Sequence, residues 1–278
     1  MWYANMPVDS KLGSDFLAGI PNMSEHREGD EMVRDEQKRE YSSQRSGYEC
    51  DQKGGDPYIE KPGGSESSLD DIGYLDQEQL MVLTEQYREN RRKRGVSEAD
   101  ADWVRGPFSA WADSLKHDEF QLEPSAVAAL AIGMRETLSI RDAIVLSLVA
   151  APSCTGITTM IDIASHPHTA RVRRRVEREL HEAYHDPRRQ PDVQRCRRGV
   201  DVLSNIAGMV PEQFRVQPLA VIAYVLWWIG DGRASSFAMH SLMIDAGCSL
   251  SSIVCSALGR GAGPAWRDKK FAVTPFVA

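Results

Sequence analysis

The sharpest chemical signature in the chain is His181-Glu182-Ala183-Tyr184-His185, an H-E-x-x-H pattern. On a helix, residues four apart share a face. Both imidazoles could then ligate Zn²⁺ while Glu182 activates water, the constellation of a zinc-dependent hydrolase. The surroundings oppose this reading. Glu179 and Asp186 flank the motif, Pro187 ends the helix at once, and the arginines at 173–175 and 178 repel a cation. A third ligand must come from elsewhere. His166, His168 and Cys196 are the nearest in sequence, with no recognisable spacing. A solvent-facing helix end, where protonated histidine complements the helix dipole, accounts for the residues without metal. The expectation is no bound metal and no catalytic residue, with the zinc-dependent hydrolase as one alternative.

A second chemistry is electrostatic. Residues 171–198 hold ten arginines, at 171, 173, 174, 175, 178, 188, 189, 195, 197 and 198, against five acids. Such a segment could contact phosphates, and binding would then depend steeply on salt. Against that stand the chain's net charge of −7 and the interleaved Glu177, Glu179 and Glu182. No recognised reading motif is present. Salt bridges along the helix are the simpler account, and a nucleic-acid-associated protein is the other alternative. Arg141-Asp142 is a third polar pair; it reads as a helix entry held by hydrogen bonds rather than a ligand site. No G-x-G-x-x-G, P-loop or G-x-S-x-G occurs, which removes several nucleotide-binding and hydrolase classes. The five cysteines form no C-x-x-C and no zinc spacing.

The elements that must carry these residues are helical. Leu80, Leu83 and Tyr87 make an apolar stripe ending at Arg91-Arg92-Lys93-Arg94-Gly95, cations then glycine. Ser97 with Asp100 resembles a capping box. Trp103, Phe108, Trp111 and Leu115 follow, with a division expected at Gly106-Pro107. Pro124 precedes a helix bearing Val127, Leu130, Met134 and Leu138, and another is expected over Ile140–Ala151. A short helix is expected around Ile157–Ile163. Val172, Val176, Leu180 and Tyr184 predict an amphipathic helix stopped at Asp186-Pro187. A basic loop should lead to a helix over Val200–Val210.

Val210–Gly261 organises the chain. Pro218 suits a helix start. Leu219, Ile222, Ala223, Leu226 and Ile229 recur on one helical face. Gly230-Asp231-Gly232 supplies a sharp reversal. Ala234, Ala238 and Leu242 then share a face, with Phe237, Ser241 and Ile244 beside them, which makes an αα-hairpin. Ser249 is placed to cap a last helix with Leu250, Ile253, Val254 and Ala257.

Counted from Gly230, the register resembles one tetratricopeptide unit, with Leu219, Ile222, Ala223 and Leu226 on its first helix. Ser235, Met239 and Leu242 fall on its second. Gly247-Cys248 stands where the closing aspartate–proline belongs, and one unit does not make a regular solenoid. Val202-Leu203-Ser204-Asn205-Ile206-Ala207, Pro211, Pro218-Leu219-Ala220 and Trp228-Ile229-Gly230-Asp231-Gly232-Arg233-Ala234 resemble the C-terminal half of an uncharacterised actinobacterial domain-of-unknown-function family (family 4192). Ser139–Ile144 is similar to another of its segments. The likeness covers Trp103–Trp266, implies a bacterial protein of this fold and carries over no catalytic residue.

The front of the chain differs in composition. Residues 1–100 carry 22 acids and 13 bases, and the remainder 18 and 20. Ser24–Ser68 lacks periodicity and holds too little apolar surface to offset chain entropy. Trp2, Tyr3, Phe16, Leu17 and Ile20 are its few apolar anchors. The start has no signal-peptide pattern, and the longest apolar run, Leu219–Ile229, is far short of the ~20 residues a bilayer needs. The expectation is an all-α chain. A disordered acidic arm over 1–68 precedes a helical domain over 69–270, built of stacked hairpins as a tetratricopeptide-like or irregular bundle, and a tail over 271–278. It should be cytoplasmic, without cofactor. The leading functional expectation is a non-enzymatic protein-interaction scaffold with a protein partner.

Overall fold

The computed structural model describes residues 74–117, 121–150 and 156–267. Among them lie ten α-helices and no strand. In order these are α1 (Gln77–Arg94), α2 (Val96–Ser114), α3 (Pro124–Glu136), α4 (Leu138–Val149) and α5 (Ile157–Ser165). Then come α6 (Ala170–His185), α7 (Val193–Met209), α8 (Glu212–Ile229), α9 (Ala234–Ile244) and α10 (Ser249–Gly259). A single 3₁₀ turn, Ala265–Arg267, follows. The all-α architecture expected from periodicity is present. The arm expected over 1–68 and the tail over 271–278 lie outside the described residues.

Helix α8 is the one the others surround. From Phe214 to Trp228 every residue except Arg215 and Gln217 is buried. A helix apolar all round belongs to an interior rather than to a surface. It packs most extensively against α7 and α9, and also against α3, α4 and α10. The single apolar face expected for it was therefore too narrow. Helix α4 is its counterpart, buried from Ser139 to Val149.

Two prolines sit inside helices that were expected to start or break at them. Helix α8 begins at Glu212 after Pro211, not at Pro218. Helix α2 runs unbroken through Pro107. An internal proline removes one backbone bond and crowds the preceding turn. Burial on both sides of each proline outweighs that cost: Val104, Phe108 and Trp111 in α2, and the whole of mid-α8. The Ser241 hydroxyl of α9 also donates to Val216 O at 3.0 Å, tying α9 to the proline turn.

The α8–α9 reversal follows the turn chemistry read from Gly230. This residue takes φ +80, in the left-handed region. Its N–H donates to Trp227 O at 3.1 Å and that of Asp231 to Leu226 O at 2.8 Å. This crossed pair is a Schellman motif, which satisfies the last carbonyls of the helix. Asp231 then accepts from Arg233 N through its side chain at 3.0 Å.

Other boundaries depart from the sequence reading. Helix α7 starts at Val193, where a basic loop was expected. The Asp192 side chain caps it by accepting from Arg195 N at 2.9 Å. No capping box forms at Ser97, because α2 starts directly after Gly95 with no side-chain cap. Asp100 turns inward instead and accepts from the Tyr87 hydroxyl at 2.6 Å. Cys248, not Ser249, precedes α10, and it makes no side-chain cap.

Candidate functional site

The H-E-x-x-H segment forms the last turn of α6. His181 and His185 are exposed on one face, with ring centroids 4.6 Å apart. The other parts of a zinc centre do not join them. Glu182 is ion-paired with Arg189. His166 Nδ1 lies 2.8 Å from the Ser165 hydroxyl, at the far end of α5. The Cys196 thiol is buried between α7 and α4, donates to Leu148 O at 3.5 Å, and is pushed up to about 12 by burial. That is the opposite of a ligating thiolate. Among the described residues, no three His, Cys, Asp or Glu side chains gather where they could hold a metal ion.

The arginine segment divides into two groups. Arg195 Nε donates to Ser147 O at 2.8 Å, and Arg198 Nη1 to Leu115 O at 3.2 Å. Both side chains therefore tie α7 inward, to α4 and to the end of α2. Glu179 is only 5% exposed, and it is held by Arg178 at 3.2 Å and Arg189 at 3.4 Å. Arg171 pairs with Asp162 of α5 at 2.6 Å, and Arg173 with Glu177 at 3.8 Å. The Arg174 Nε donates to Ala170 O at 3.1 Å. Arg171, Arg189, Arg195 and Arg198 thus tie α6 and α7 to other segments, whereas Arg173, Arg174 and Arg178 bond within α6 itself.

Arg141 and Asp142 are not at an accessible entrance. Arg141 is 1% exposed. Its Nε and Nη2 donate to Asp142 Oδ1 at 3.0 and 2.8 Å, and its Nη1 donates to Gln217 Oε1 at 3.2 Å. The pair joins α4 to α8 inside the core. Nearby in α8, burial raises the Tyr224 phenol above its ordinary range, with the charges of Tyr184 and Asp142 adding to the shift. Tyr224 also belongs to an aromatic cluster with Tyr184, Trp227 and Trp228.

Among the described residues, the α9–α10 hairpin combines exposed apolar side chains with very little charge. Across residues 234–259 the only ionised side chain is Asp245. Helix α9 packs chiefly on α8 and α10, burying Ala234, Ala238 and Ser241. Its opposite face carries Met239 at 55% exposure and Met243 at 82%. Being four apart, they stand one above the other. Ser235, Ser236 and His240 flank them, and Leu258 of α10 is also exposed. The tetratricopeptide register places Met239 among packing positions, whereas the structure turns it outward. Methionine is flexible and polarisable, and surfaces rich in it adapt to varied apolar partners. The stretch without charge was legible in the sequence, but its outward orientation was not.

The outer face of α1 is different in character. Met81 and Val82 are exposed there in an open groove, beside Glu78, Glu85, Glu89 and Arg92. Arg92 Nη2 bonds Glu89 at 2.8 Å, and Arg88 Nη1 bonds Glu85 at 2.6 Å, so that face is laced with ion pairs. No helix among the described residues is long and apolar enough to cross a membrane. The chain matches no family model, and no curated protein or solved structure is significantly similar to it.

Proposed function

We propose that this protein is a non-enzymatic interaction scaffold whose docking face is the α9–α10 hairpin. The observation that carries the reading is the exposure of Met239 and Met243 on a hairpin with one ionised residue, Asp245. Helical stacks commonly present faces to other chains, and their terminal units are ordinarily polar on the outside for solubility. This hairpin has exposed serines and His240 but only one ionised side chain, Asp245. The partner it fits presents an apolar, weakly charged segment, because an uncharged face gives no compensation to a buried ion. The likeness of Trp103–Trp266 to the unknown-function family belongs to this proposal as a fold and adds no activity.

The test is capture of binding proteins from the native cell with and without nuclease. Proteins retained after nuclease by the natural chain, and lost by a Met239→Glu/Met243→Glu variant, are the expected result. Retention that disappears with nuclease and ignores the double variant would replace this reading with the nucleic-acid one.

A further inference from the structure

The outward face of α6 is a second surface, separate from the α9–α10 hairpin. Helix α6 packs on α4 and on the Ala265–Arg267 turn, whereas α9 packs on α8 and α10. The inward side of α6 is Val172, Val176, Glu179 and Ala183. Its outward side holds Arg171, Arg174, Arg178, His181 and His185, all exposed. They follow one another at steps of three and four, which puts them on one face of the helix. From Arg171 to His185 the stripe runs about 21 Å along the axis, with one of its side chains about every 5 Å. We infer that this stripe binds single-stranded nucleic acid, with the arginines along the phosphates and the imidazoles against the bases.

Ion pairs account for only part of the positive charge here. The Arg171 side chain is 68% exposed although it pairs with Asp162, and that of Arg178 is 58% exposed although it touches Glu179. A guanidinium carries five N–H donors, so one such bond leaves most of the fork open to a phosphate. Among the described residues, no carboxylate lies within ion-pairing distance of Arg174, half-buried Arg175 or Arg188. The stripe itself contains no acid. Glu177 lies at its flank, 3.8 Å from Arg173, and Glu182 is turned to Arg189.

The composition of the stripe selects the ligand. A protein partner is held mainly by apolar and aromatic anchors at the centre of an interface, and the stripe has no aliphatic side chain to supply one. An anionic bilayer is entered by the apolar face of a helix, and the apolar side of α6 is inside the fold. A phosphodiester chain needs only spaced cations, because the counterions it releases drive association. Unpaired bases in turn stack on planar side chains, histidine among them. The exposed His181 and His185 rings, with centroids 4.6 Å apart, are two such planes at the end of the arginine run. A duplex keeps its bases stacked on each other and leaves these rings unused, which favours the single strand.

The experiment is fluorescence anisotropy of the full natural chain with labelled oligothymidylate, oligouridylate and a DNA duplex of equal length, across a range of salt. The single strands should bind, and log K should fall against log salt with a slope of about −2 to −3, the value for about three or four phosphate contacts. Arg174→Gln/Arg175→Gln, which breaks no ion pair, should weaken binding about tenfold and flatten that slope by about 1. His181→Ser/His185→Ser should weaken the single strands as well, through lost stacking. Binding of either polymer, or of both, agrees with the inference, and the difference between them identifies the sugar. Met239→Glu/Met243→Glu should bind as the natural chain does, so the outcome is independent of the α9 docking face. Absence of binding at about 10 µM protein in low salt overturns the inference. So does unchanged binding in Arg174→Gln/Arg175→Gln at an equal thermal midpoint, or a duplex bound as tightly as the single strands. Polyglutamate bound as tightly as the oligonucleotides overturns it in favour of an acidic polypeptide.

Discussion

At the scale of single residues, the strongest constraint is the buried Arg141–Asp142 pair. Two ions withdrawn from water are tolerable only while both are present and hydrogen-bonded. Asp142→Ala should therefore destabilise the fold by about 3–5 kcal/mol in urea denaturation, leaving a buried guanidinium without its carboxylate. Arg141→Met/Asp142→Leu should recover most of the loss, since matched apolar side chains remove both desolvation costs. If the single and double variants were equally unstable, the pair would not be what matters at this point of the core. The sequence placed these residues at a helix entry held by hydrogen bonds; their bond to each other is seen only in the fold. Nothing in the sequence marks Gln217, distant along the chain, as their third member.

Asp231 gives the pH dependence. Its carboxyl is held down to about 2 by the Arg233 side chain and then by the Arg233 backbone N–H. A carboxyl lower in the folded state than its ordinary 3.8 stabilises the fold above that value. That contribution is lost as pH falls from about 4 towards 2. Asp100 works in the other direction: burial raises its carboxyl above the ordinary 3.8, so its contribution is lost as pH rises above that value. Asp231→Asn should flatten the acid side of the stability curve between these limits. An unchanged acid limb would mean that the turn is not held by this carboxylate. His181 and His185 belong at this scale too. Protein purified without chelator or histidine tag is expected to contain no stoichiometric zinc. Elemental analysis finding one zinc per chain, lost in His181→Ala/His185→Ala, would restore the hydrolase alternative.

At the scale of elements, the reversal and the close crossings decide the packing. Gly230 must hold a left-handed backbone, and a side chain there also meets Arg267. Gly230→Val should lower stability by about 1–3 kcal/mol. Helix α7 crosses α4 at Gly199, where a Cβ would lie 2.6 Å from Leu148 Cδ2. Leu148 is itself buried, with little room to give way. Gly199→Val is expected to cost about 1–3 kcal/mol through overpacking, visible as a lower thermal midpoint. A midpoint unchanged in either variant would contradict the corresponding contact.

What was legible from sequence also sorts at this scale. Periodicity located α1, α3, α6 and the α8–α9 hairpin, because each buries a stripe or ends on a glycine or proline stop. It misplaced the start of α7, where Arg195 and Cys196 look like loop residues yet reach the α4 carbonyls. It also divided α2 at Pro107 and started α8 at Pro218. Local propensity argues for breaks there, and tertiary burial overrides it. The arginine segment looked like a phosphate-binding stretch in composition alone. Only the fold shows Arg189 and Arg178 closing over Glu179.

At the scale of the whole molecule, α8 forms the interior and the last hairpin forms the unusual exterior. The ion-paired face of α1 is suited to water, whereas the α9 face exposes methionine without a surrounding ring of charge. That contrast underlies the scaffold proposal. Its most direct measurement is a titration of a captured partner against the natural chain and against Met239→Glu/Met243→Glu, with equal thermal midpoints as the check on folding. If the α9 face is the docking surface, two carboxylates introduced at its centre should weaken binding at least about tenfold, which corresponds to roughly 1.4 kcal/mol. The same dissociation constant for both chains would contradict it.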